Sequence, residues 1–206
     1  MNRAESIRVM HPLFQAGEGG STPTSALSLV VDTLDFETAA KLNAAWHSVL
    51  PEMDKGSGKR GMAVCYCAYF DNLIYAVAIW SSPVNQTVDD GKTIELRRLA
   101  IAPDAPKNTA SRMLAIMARL LKVRFPQCER LISYQATAVH AGTIYKAAGW
   151  TATSLTKFSP WGTRKRRPPR SAKQRAAAID GYVNTPSTRR HPQVVSDKQR
   201  WERQIR

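Results

Sequence analysis

The segment PDAPKNTASR, residues 103–112, has the residue types of a phosphate-binding loop, although it contains no glycine. It joins an apolar run to a long amphipathic pattern, which predicts a loop between a strand and a helix. Asn108 or Thr109 can cap that helix, whose first N–H groups then point outward and favour an anion. Further positive charge and a hydroxyl lie close by, on Lys107, Ser111 and Arg112. The alternative is an ordinary capped helix without a ligand.

A tyrosine stands in a second, shorter helical pattern, TIYKAAGW at 143–150. The phenol of Tyr145, if it lay near a phosphate-binding cleft, could protonate a leaving group as a general acid. The alternative is a tyrosine that packs in the fold with its hydroxyl at the surface.

Two adjacent arginines stand in a predicted strand, so Arg97 and Arg98 should face opposite sides. Glu95 shares the face of Arg97 and can pair with it. Arg98 has no such local acid, and a partly buried arginine needs an anionic partner such as a carboxylate or a ligand phosphate. Two histidines could act as bases: His47 on a helix, where a cap or surface role is the alternative, and His140 in a loop.

The cysteines and histidines give no metal-binding pattern. Cys65, Cys67 and Cys128 form no disulfide framework, which predicts a reducing compartment, and the pair Cys65 and Cys67 predicts buried thiols in place of a zinc site. Iron or another metal held weakly at His47 is an alternative that no clear motif supports. The first twenty residues lack the apolar stretch of a secretory signal, and no apolar run of about 18 residues predicts a membrane helix. We therefore expect a cytoplasmic protein without a metal.

Positive charge dominates the composition and is concentrated in one part of the chain. The net charge is +14, and residues 160–206 hold thirteen Lys and Arg against three acids. This predicts a polyanionic partner, DNA first, with an anionic membrane or solubility alone as alternatives. No amphipathic apolar face accompanies the charge, which disfavours a membrane. The predicted DNA contacts are Lys59, Arg60, Arg164, Lys165, Arg166, Arg167 and Arg170.

The periodicity of the sequence predicts nine elements in the order β–α–β–β–β–α–β–α–β. The predicted ranges are 25–34, 35–50, 62–70, 72–80, 93–101, 109–124, 129–136, 141–150 and 151–159. The predicted strands at 62–70 and 72–80 lie on either side of Asp71-Asn72, which predicts a hairpin. This order is typical of an α/β protein with an α+β, mixed-sheet arrangement. It does not fit a doubly wound series of alternating strands and helices. We expect a flexible segment at 1–24, one domain at 25–159 and a basic DNA-binding extension at 160–206, which is irregular or becomes ordered only on DNA.

Residues 94–150 resemble the Mom family of phage DNA-modification proteins. The strand ELRR, the loop PKNTASR, the strand LISY and the helix GTIYKAAGW carry the resemblance. The sequence DKQRWE at 197–202 is similar to the ending of one Mom-like subfamily. Mom proteins resemble GNAT N-acetyltransferases, which implies a GNAT-like fold. The resemblance also implies conversion of adenine in DNA to methylcarbamoyl adenine, which shields phage DNA from restriction.

The resemblance assigns roles to individual residues. Arg98, Ser111, Tyr145 and His47 match positions that are functionally important in the family. In GNAT proteins the strand–loop–helix unit binds the pyrophosphate of acetyl-CoA, which implies cofactor binding by Lys107, Asn108, Thr109, Ser111 and Arg112. One departure stands out: the family commonly has an acidic residue where this chain has Ala136. His140 is a candidate replacement.

The leading hypothesis is therefore a phage- or prophage-encoded DNA-adenine modification enzyme with an acyl donor. Its partner would be double-stranded DNA with one adenine flipped out, and Tyr134 or Trp150 could stack on that base. One alternative is a GNAT-type acetyltransferase that acts on a non-DNA amine. Another, motivated by Ala136, is a non-catalytic DNA-binding protein on a degenerate GNAT scaffold. The sequence predicts neither the oligomeric state, nor the DNA sequence context, nor the source of the extra nitrogen in the product.

Overall fold

The computed structural model describes residues 22–47, 63–158 and 196–205. The strands are β1 (Val30–Leu34), β2 (Val64–Phe70), β3 (Leu73–Ser81), β4 (Thr93–Ile101), β5 (Arg130–Ala136), β6 (Thr151–Thr156) and β7 (Lys198–Gln204). The helices are α1 (Phe36–Trp46), α2 (Thr109–Arg124) and α3 (Thr143–Ala147), and a 3-10 turn spans Ala26–Ser28. None of the helices in these ranges is long and apolar enough to cross a membrane.

The seven strands form one mixed sheet in the order β1-β2-β3-β4-β5-β7-β6. Only β4 and β5 run parallel; the other neighbours are antiparallel. Helix α1 packs on one face of the sheet, over β2, β3 and β4. Helices α2 and α3 pack on the other face, over the larger apolar cluster. The predicted α/β architecture with a mixed sheet is confirmed.

Local sequence accounts for the elements that were predicted. Helix α1 starts where the Asp35 carboxylate accepts a hydrogen bond from the Thr38 N–H at 2.8 Å. The β2–β3 hairpin turns at Asp71 and Asn72, whose φ angles of 46° and 62° suit a tight turn of the kind that favours Asp and Asn. The predicted bounds of β4 and α2 match the structure, because both elements have strong apolar periodicity.

The prediction of an irregular tail is wrong for its end. Residues Lys198–Gln204 form β7, which lies between β5 and β6 in the sheet. The stretch KQRWERQ has one large apolar residue, Trp201, so its sequence gave no strand pattern. The predicted domain range of 25–159 therefore leaves out β7, which is a strand of the same sheet.

The position of β7 also changes how the basic residues are attached. Thr156 of β6 pairs with Lys198 of β7, and Lys198 pairs with Ala136 of β5. Residues 159–195, which we call the basic segment, therefore leave and rejoin the sheet beside the end of β5. This segment holds nine Lys and Arg and one acid. It connects two paired strands and is not a free tail.

Candidate functional site

Strands β4 and β5 pair only along their first halves. The register runs from Thr93 with Arg130 to Leu96 with Ser133. Both strands continue beyond that pair, while β3 and β7 keep pairing with their outer edges. The facing edges past Leu96 and Ser133 therefore carry backbone groups that this sheet does not use, and an extended ligand could bind them. We call this opening the β4–β5 gap.

A bulge in β4 sets the direction of Arg98. The pairing of β3 with β4 shifts beside Arg97, and Ile79 then lies opposite Arg98. Cross-strand partners share a face, and Ile79 packs with Ala39 of α1. Arg98 therefore faces the α1 side of the sheet. Its guanidinium donates a hydrogen bond to the Arg97 carbonyl oxygen at 2.7 Å.

The buried carboxyl of Glu95 lies on the same side. Glu95 accepts a hydrogen bond from the Val84 N–H at 2.9 Å and lies 3.6 Å from Arg97, a pairing that was predicted. The prediction that Arg98 lies on the opposite side from Glu95 is wrong, because the bulge shifts the alternation of β4. Burial raises the pKa of this carboxyl, against the lowering effects of the Val84 hydrogen bond and of the charges on Arg97, Arg98 and Lys198. Sequence reasoning had treated Glu95 only as a partner for Arg97.

The start of α2 explains how the loop turns without a glycine. Asn108 has φ 68°, a left-handed conformation that asparagine tolerates better than most residues. The predicted side-chain cap at Asn108 is absent. The Thr109 hydroxyl donates to the Pro106 carbonyl at 2.7 Å, and the Ser111 hydroxyl donates to the Asn108 carbonyl at 3.1 Å. The Thr109 N–H donates to the Pro106 carbonyl oxygen at 3.3 Å, and the N–H groups of Ala110 and Ser111 that follow point out of the helix start.

Two grooves meet at this helix start. One groove of about 240 Å³ lies between the start of α2 and α3, with Asn108, Ser111 and Thr143 in its wall. A second groove of about 380 Å³ lies between the start of α2 and the 3-10 turn, with Lys107 in its wall. Arg112 donates a hydrogen bond to the Leu27 carbonyl oxygen at 3.2 Å, so it ties the helix start to that turn.

Tyr145 stands at the closed end of the β4–β5 gap. Its hydroxyl lies 2.8 Å from the hydroxyl of Ser133, the last β5 residue that pairs with β4. Its ring stacks on Trp201 at 5.3 Å and meets Trp150 edge-on at 5.6 Å. The residue is 7% exposed, and burial raises the pKa of its hydroxyl. Tyr145 therefore packs in the fold, as the alternative to an acid role has it, but its hydroxyl is buried and not at the surface.

Trp201, which sequence reasoning missed, holds this corner of the fold together. Its indole N–H donates to the Gln135 side-chain oxygen at 2.6 Å, and the Gln135 amide donates to the His140 carbonyl oxygen. Gly142 lies directly against Trp201, so β7, β5 and α3 converge on Tyr145. The only sequence signal for Trp201 was its place in DKQRWE.

The other predicted residues are distributed over both faces. His47 ends α1, where its backbone N–H donates to the Asn43 carbonyl at 2.8 Å, as the helix-cap alternative implies. Arg98 and α1 thus lie on one face, and Tyr145 and the start of α2 on the other. The predicted DNA contacts Lys59, Arg60, Arg164, Lys165, Arg166, Arg167 and Arg170 lie outside the described residues.

Cys65 and Cys67 are free and buried, as predicted, and Cys128 is free and buried as well. Burial and, second, the charge of Asp35 raise the pKa of Cys65 to about 12. In the parts of the chain that the structure describes, no group of three or more His, Cys, Asp or Glu could hold a metal ion.

The sequence matches the Mom protein family over residues 69–200. The chain belongs to the Mom family. That match includes the β4–β5 gap, the start of α2, Tyr145 and the first three residues of β7. No curated protein sequence matches this Mom protein.

Solved structures similar to this Mom protein are GNAT acetyltransferases. A Bacillus subtilis acetyltransferase in complex with CoA aligns with a TM-score of 0.54 and 10% identity, covering 86% of this chain and 99% of that one. The ribosomal-protein-S18-alanine N-acetyltransferase from Escherichia coli aligns with a TM-score of 0.52 and 14% identity, covering 86% of this chain and 94% of that one. A GNAT family acetyltransferase from Elizabethkingia anophelis with acetyl-CoA bound aligns with a TM-score of 0.51 and 12% identity, covering 86% of this chain and 99% of that one. The Mom protein therefore has the GNAT fold.

Proposed function

We propose that this Mom protein modifies adenine in double-stranded DNA at the N6 amine with an acyl-type, methylcarbamoyl group, and so protects phage DNA from host restriction. The observation that carries the proposal is the Tyr145 hydroxyl at the closed end of the β4–β5 gap, within the segment that matches the Mom family. The protein would act in the cytoplasm of a bacterial host.

The residues around the gap fit acetyl-CoA as a donor. A pyrophosphate suits the outward N–H groups at the start of α2 and the nearby Lys107 and Ser111. An extended amide-containing chain suits the backbone edges of β4 and β5 beyond Leu96 and Ser133. Two GNAT structures of the same fold hold CoA or acetyl-CoA. When bound, acetyl-CoA supplies an acyl group activated as a thioester.

The side chains of this protein would then position and move protons. Tyr145 holds a proton on its hydroxyl, because burial raises its pKa, and can give that proton to a leaving group. Ser133 fixes the direction of this hydroxyl. Arg98 and His47 belong to the α1 side, from which the amine would approach. A methylcarbamoyl group contains a nitrogen that an acetyl group lacks, so a second co-substrate must supply that nitrogen.

Charge supports DNA as the partner. The basic segment begins and ends beside Ala136, near the open end of the gap. Its cations would neutralise phosphates, so binding should weaken steeply as salt rises. The exocyclic amine of adenine lies within the duplex stack, so the base must leave the stack to reach the gap.

A matched pair of variants tests the proposal. Tyr145→Phe and Ser133→Ala both break the 2.8 Å hydrogen bond and should each cost about 1 kcal/mol of unfolding free energy. Only Tyr145→Phe removes the proposed acid. We would express each protein in a bacterium, digest its DNA to nucleosides and measure their masses.

The wild type should yield a heavier deoxyadenosine, Ser133→Ala should yield less of it, and Tyr145→Phe should yield none. Unmodified DNA from cells that contain soluble wild-type protein would contradict the proposal. Equal product from Tyr145→Phe would remove the tyrosine from the chemistry.

A second candidate function is acetyl transfer to an amine outside DNA. It is favoured by the fold, because one similar structure is an N-acetyltransferase of a ribosomal protein. Radiolabel passing from acetyl-CoA to protein or to a small amine, with none in DNA, would support this function.

A further inference from the structure

An aromatic residue marks the point where β5 leaves β4. Tyr134 directly follows Ser133, the last paired residue, so it is the first β5 residue beside the gap. Ser133 and Gln135 contact Tyr145 and Trp201 on the α3 side. Because strand residues alternate between faces, Tyr134 lies on the opposite, α1 side of the sheet.

Positive side chains surround Tyr134 on that face. Arg200 lies directly opposite Tyr134 in the β5–β7 ladder, and Lys198 lies opposite Ala136. Arg98 shares the face from the other side of the gap. Arg200 is held in place by Glu202 at 2.6 Å and by the Thr153 hydroxyl at 3.3 Å.

Burial raises the pKa of the Glu95 carboxyl, and cations from both sides of the gap, Arg98 on β4 and Lys198 on β7, act to lower it. The charge of Arg97 acts in the same direction as these two cations. Cations from both sides of the gap therefore lie within electrostatic range of one buried group.

This part of the face is open in the described structure. Helix α1 packs over β2, β3 and β4, whereas Tyr134 and Arg200 are half-buried and Lys198 is exposed. Trp150, the other aromatic residue considered for stacking, is 4% exposed and packs against Trp80 and Tyr145. A ligand can therefore reach the ring of Tyr134 but not that of Trp150.

A ring bordered by a guanidinium and an ammonium group suits a base that carries a phosphate. The base can stack on the ring and the phosphate can pair with the cations. An amine substrate without a phosphate would gain nothing from these charges. Tyr134 is also one residue from Ser133, so a base stacked on it would lie beside the β4–β5 gap.

We propose that Tyr134, flanked by Arg98 and Arg200, is the stacking surface for the nucleotide that leaves the DNA duplex. This inference rests on the proposed function, because it names the residue that receives the target base.

The test uses a short DNA duplex with 2-aminopurine in place of one adenine, opposite an abasic site. Stacking on an aromatic ring quenches 2-aminopurine fluorescence. We would compare the full-length wild type with Tyr134→Phe, which keeps a ring, and Tyr134→Leu, which removes it. Binding to this duplex and to a fully paired duplex would be measured by anisotropy, and thermal unfolding would confirm that each variant folds.

The wild type and Tyr134→Phe should quench the probe and prefer the abasic duplex. Tyr134→Leu should lose the quenching and about tenfold of affinity for that duplex, with little change for the paired one. Equal quenching by Tyr134→Leu, or no quenching by the wild type, would overturn the inference.

Nucleoside masses separate this outcome from failure of the proposed function. Modified deoxyadenosine made at the wild-type rate by Tyr134→Leu would leave adenine modification standing and remove the stacking surface. Quenching that depends on the Tyr134 ring, with no modified nucleoside from the wild type, would leave a base-binding site without the proposed chemistry.

Discussion

Asn108 allows the loop before α2 to turn without a glycine, because its backbone takes the left-handed conformation. Its side chain makes no capping hydrogen bond, so loss of the amide should cost little. We expect Asn108→Gly to keep the free energy of unfolding and Asn108→Ala to lower it by about 1 kcal/mol. Urea titration measures both. Equal stability of the two variants would show that φ is not what selects asparagine here.

The buried carboxyl of Glu95 predicts a pH-dependent effect. Its folded-state pKa lies above the ordinary 4.5, so its contribution to stability is full below about pH 4.5 and is lost as the pH rises through the folded-state pKa. Glu95→Gln should therefore be more stable than the wild type at pH 7 and equal to it below about pH 4.5.

Unfolding free energies over this pH range test the effect. Glu129→Gln is the control, because Glu129 pairs with Lys92 at the exposed surface and should contribute little. A constant difference between Glu95→Gln and the wild type at all pH values would contradict the prediction.

Residue types alone indicated part of the site. Lys107, Ser111 and Tyr145 were recognisable because a helix start and a phenol have predictable chemistry. Ser133 was not, because a serine within a strand has no distinctive pattern. The side of Arg98 was not predictable either, since it depends on a bulge that only the pairing of β3 with β4 reveals.

At the scale of elements, the contact between α3 and β7 depends on one glycine. A Cβ at Gly142 would lie 2.3 Å from Trp201, and its φ is +73°. Gly149 has the same φ with open space around it. Gly142→Ala should therefore destabilise the fold clearly more than Gly149→Ala, which should cost about 1 kcal/mol for its backbone alone.

Chemical denaturation of the two variants separates packing from backbone strain. Equal losses would mean that Trp201 can move aside. A larger loss for Gly142→Ala, together with lower nucleoside modification, would link the position of α3 to the chemistry of Tyr145.

The elements that sequence predicted well have local causes. Helix α2 buries Met113, Leu114, Met117 and Leu121, and its periodicity alone defined its bounds. Strand β7 is held by partners far away in sequence, and six of its seven residues are Lys, Arg, Glu or Gln. It is a strand because it pairs with β5 and β6, and the local sequence pattern of residues 198–204 does not reveal that pairing.

At the scale of the whole molecule, the roles of the basic segment and of β7, the strand that follows it, can be tested by separate variants. Replacing residues 160–194 with a short Gly/Ser linker should preserve the sheet, because β6 and β7 are antiparallel neighbours. The slope of the log of the DNA-binding constant against the log of the salt concentration should then become shallower by roughly 0.9 for each lost phosphate contact. Deleting residues 196–206 should instead prevent folding, since it removes β7.

Circular dichroism and DNA binding at several salt concentrations test both changes. An unchanged salt slope in the linker variant would show that the basic segment does not contact DNA. A folded deletion variant would show that β7 is dispensable.

The position of β7 inside the sheet also has a consequence during synthesis. The chain makes β6, then the basic segment, and only then the strand that lies between β5 and β6. At ribosomal speeds of about 5–20 residues per second, some seconds pass before the sheet can close. During that interval the cations can meet cellular RNA while Tyr145 has no tryptophan from β7 to stack on. A chain that stops early would keep its attraction to nucleic acid and never assemble its proposed chemistry.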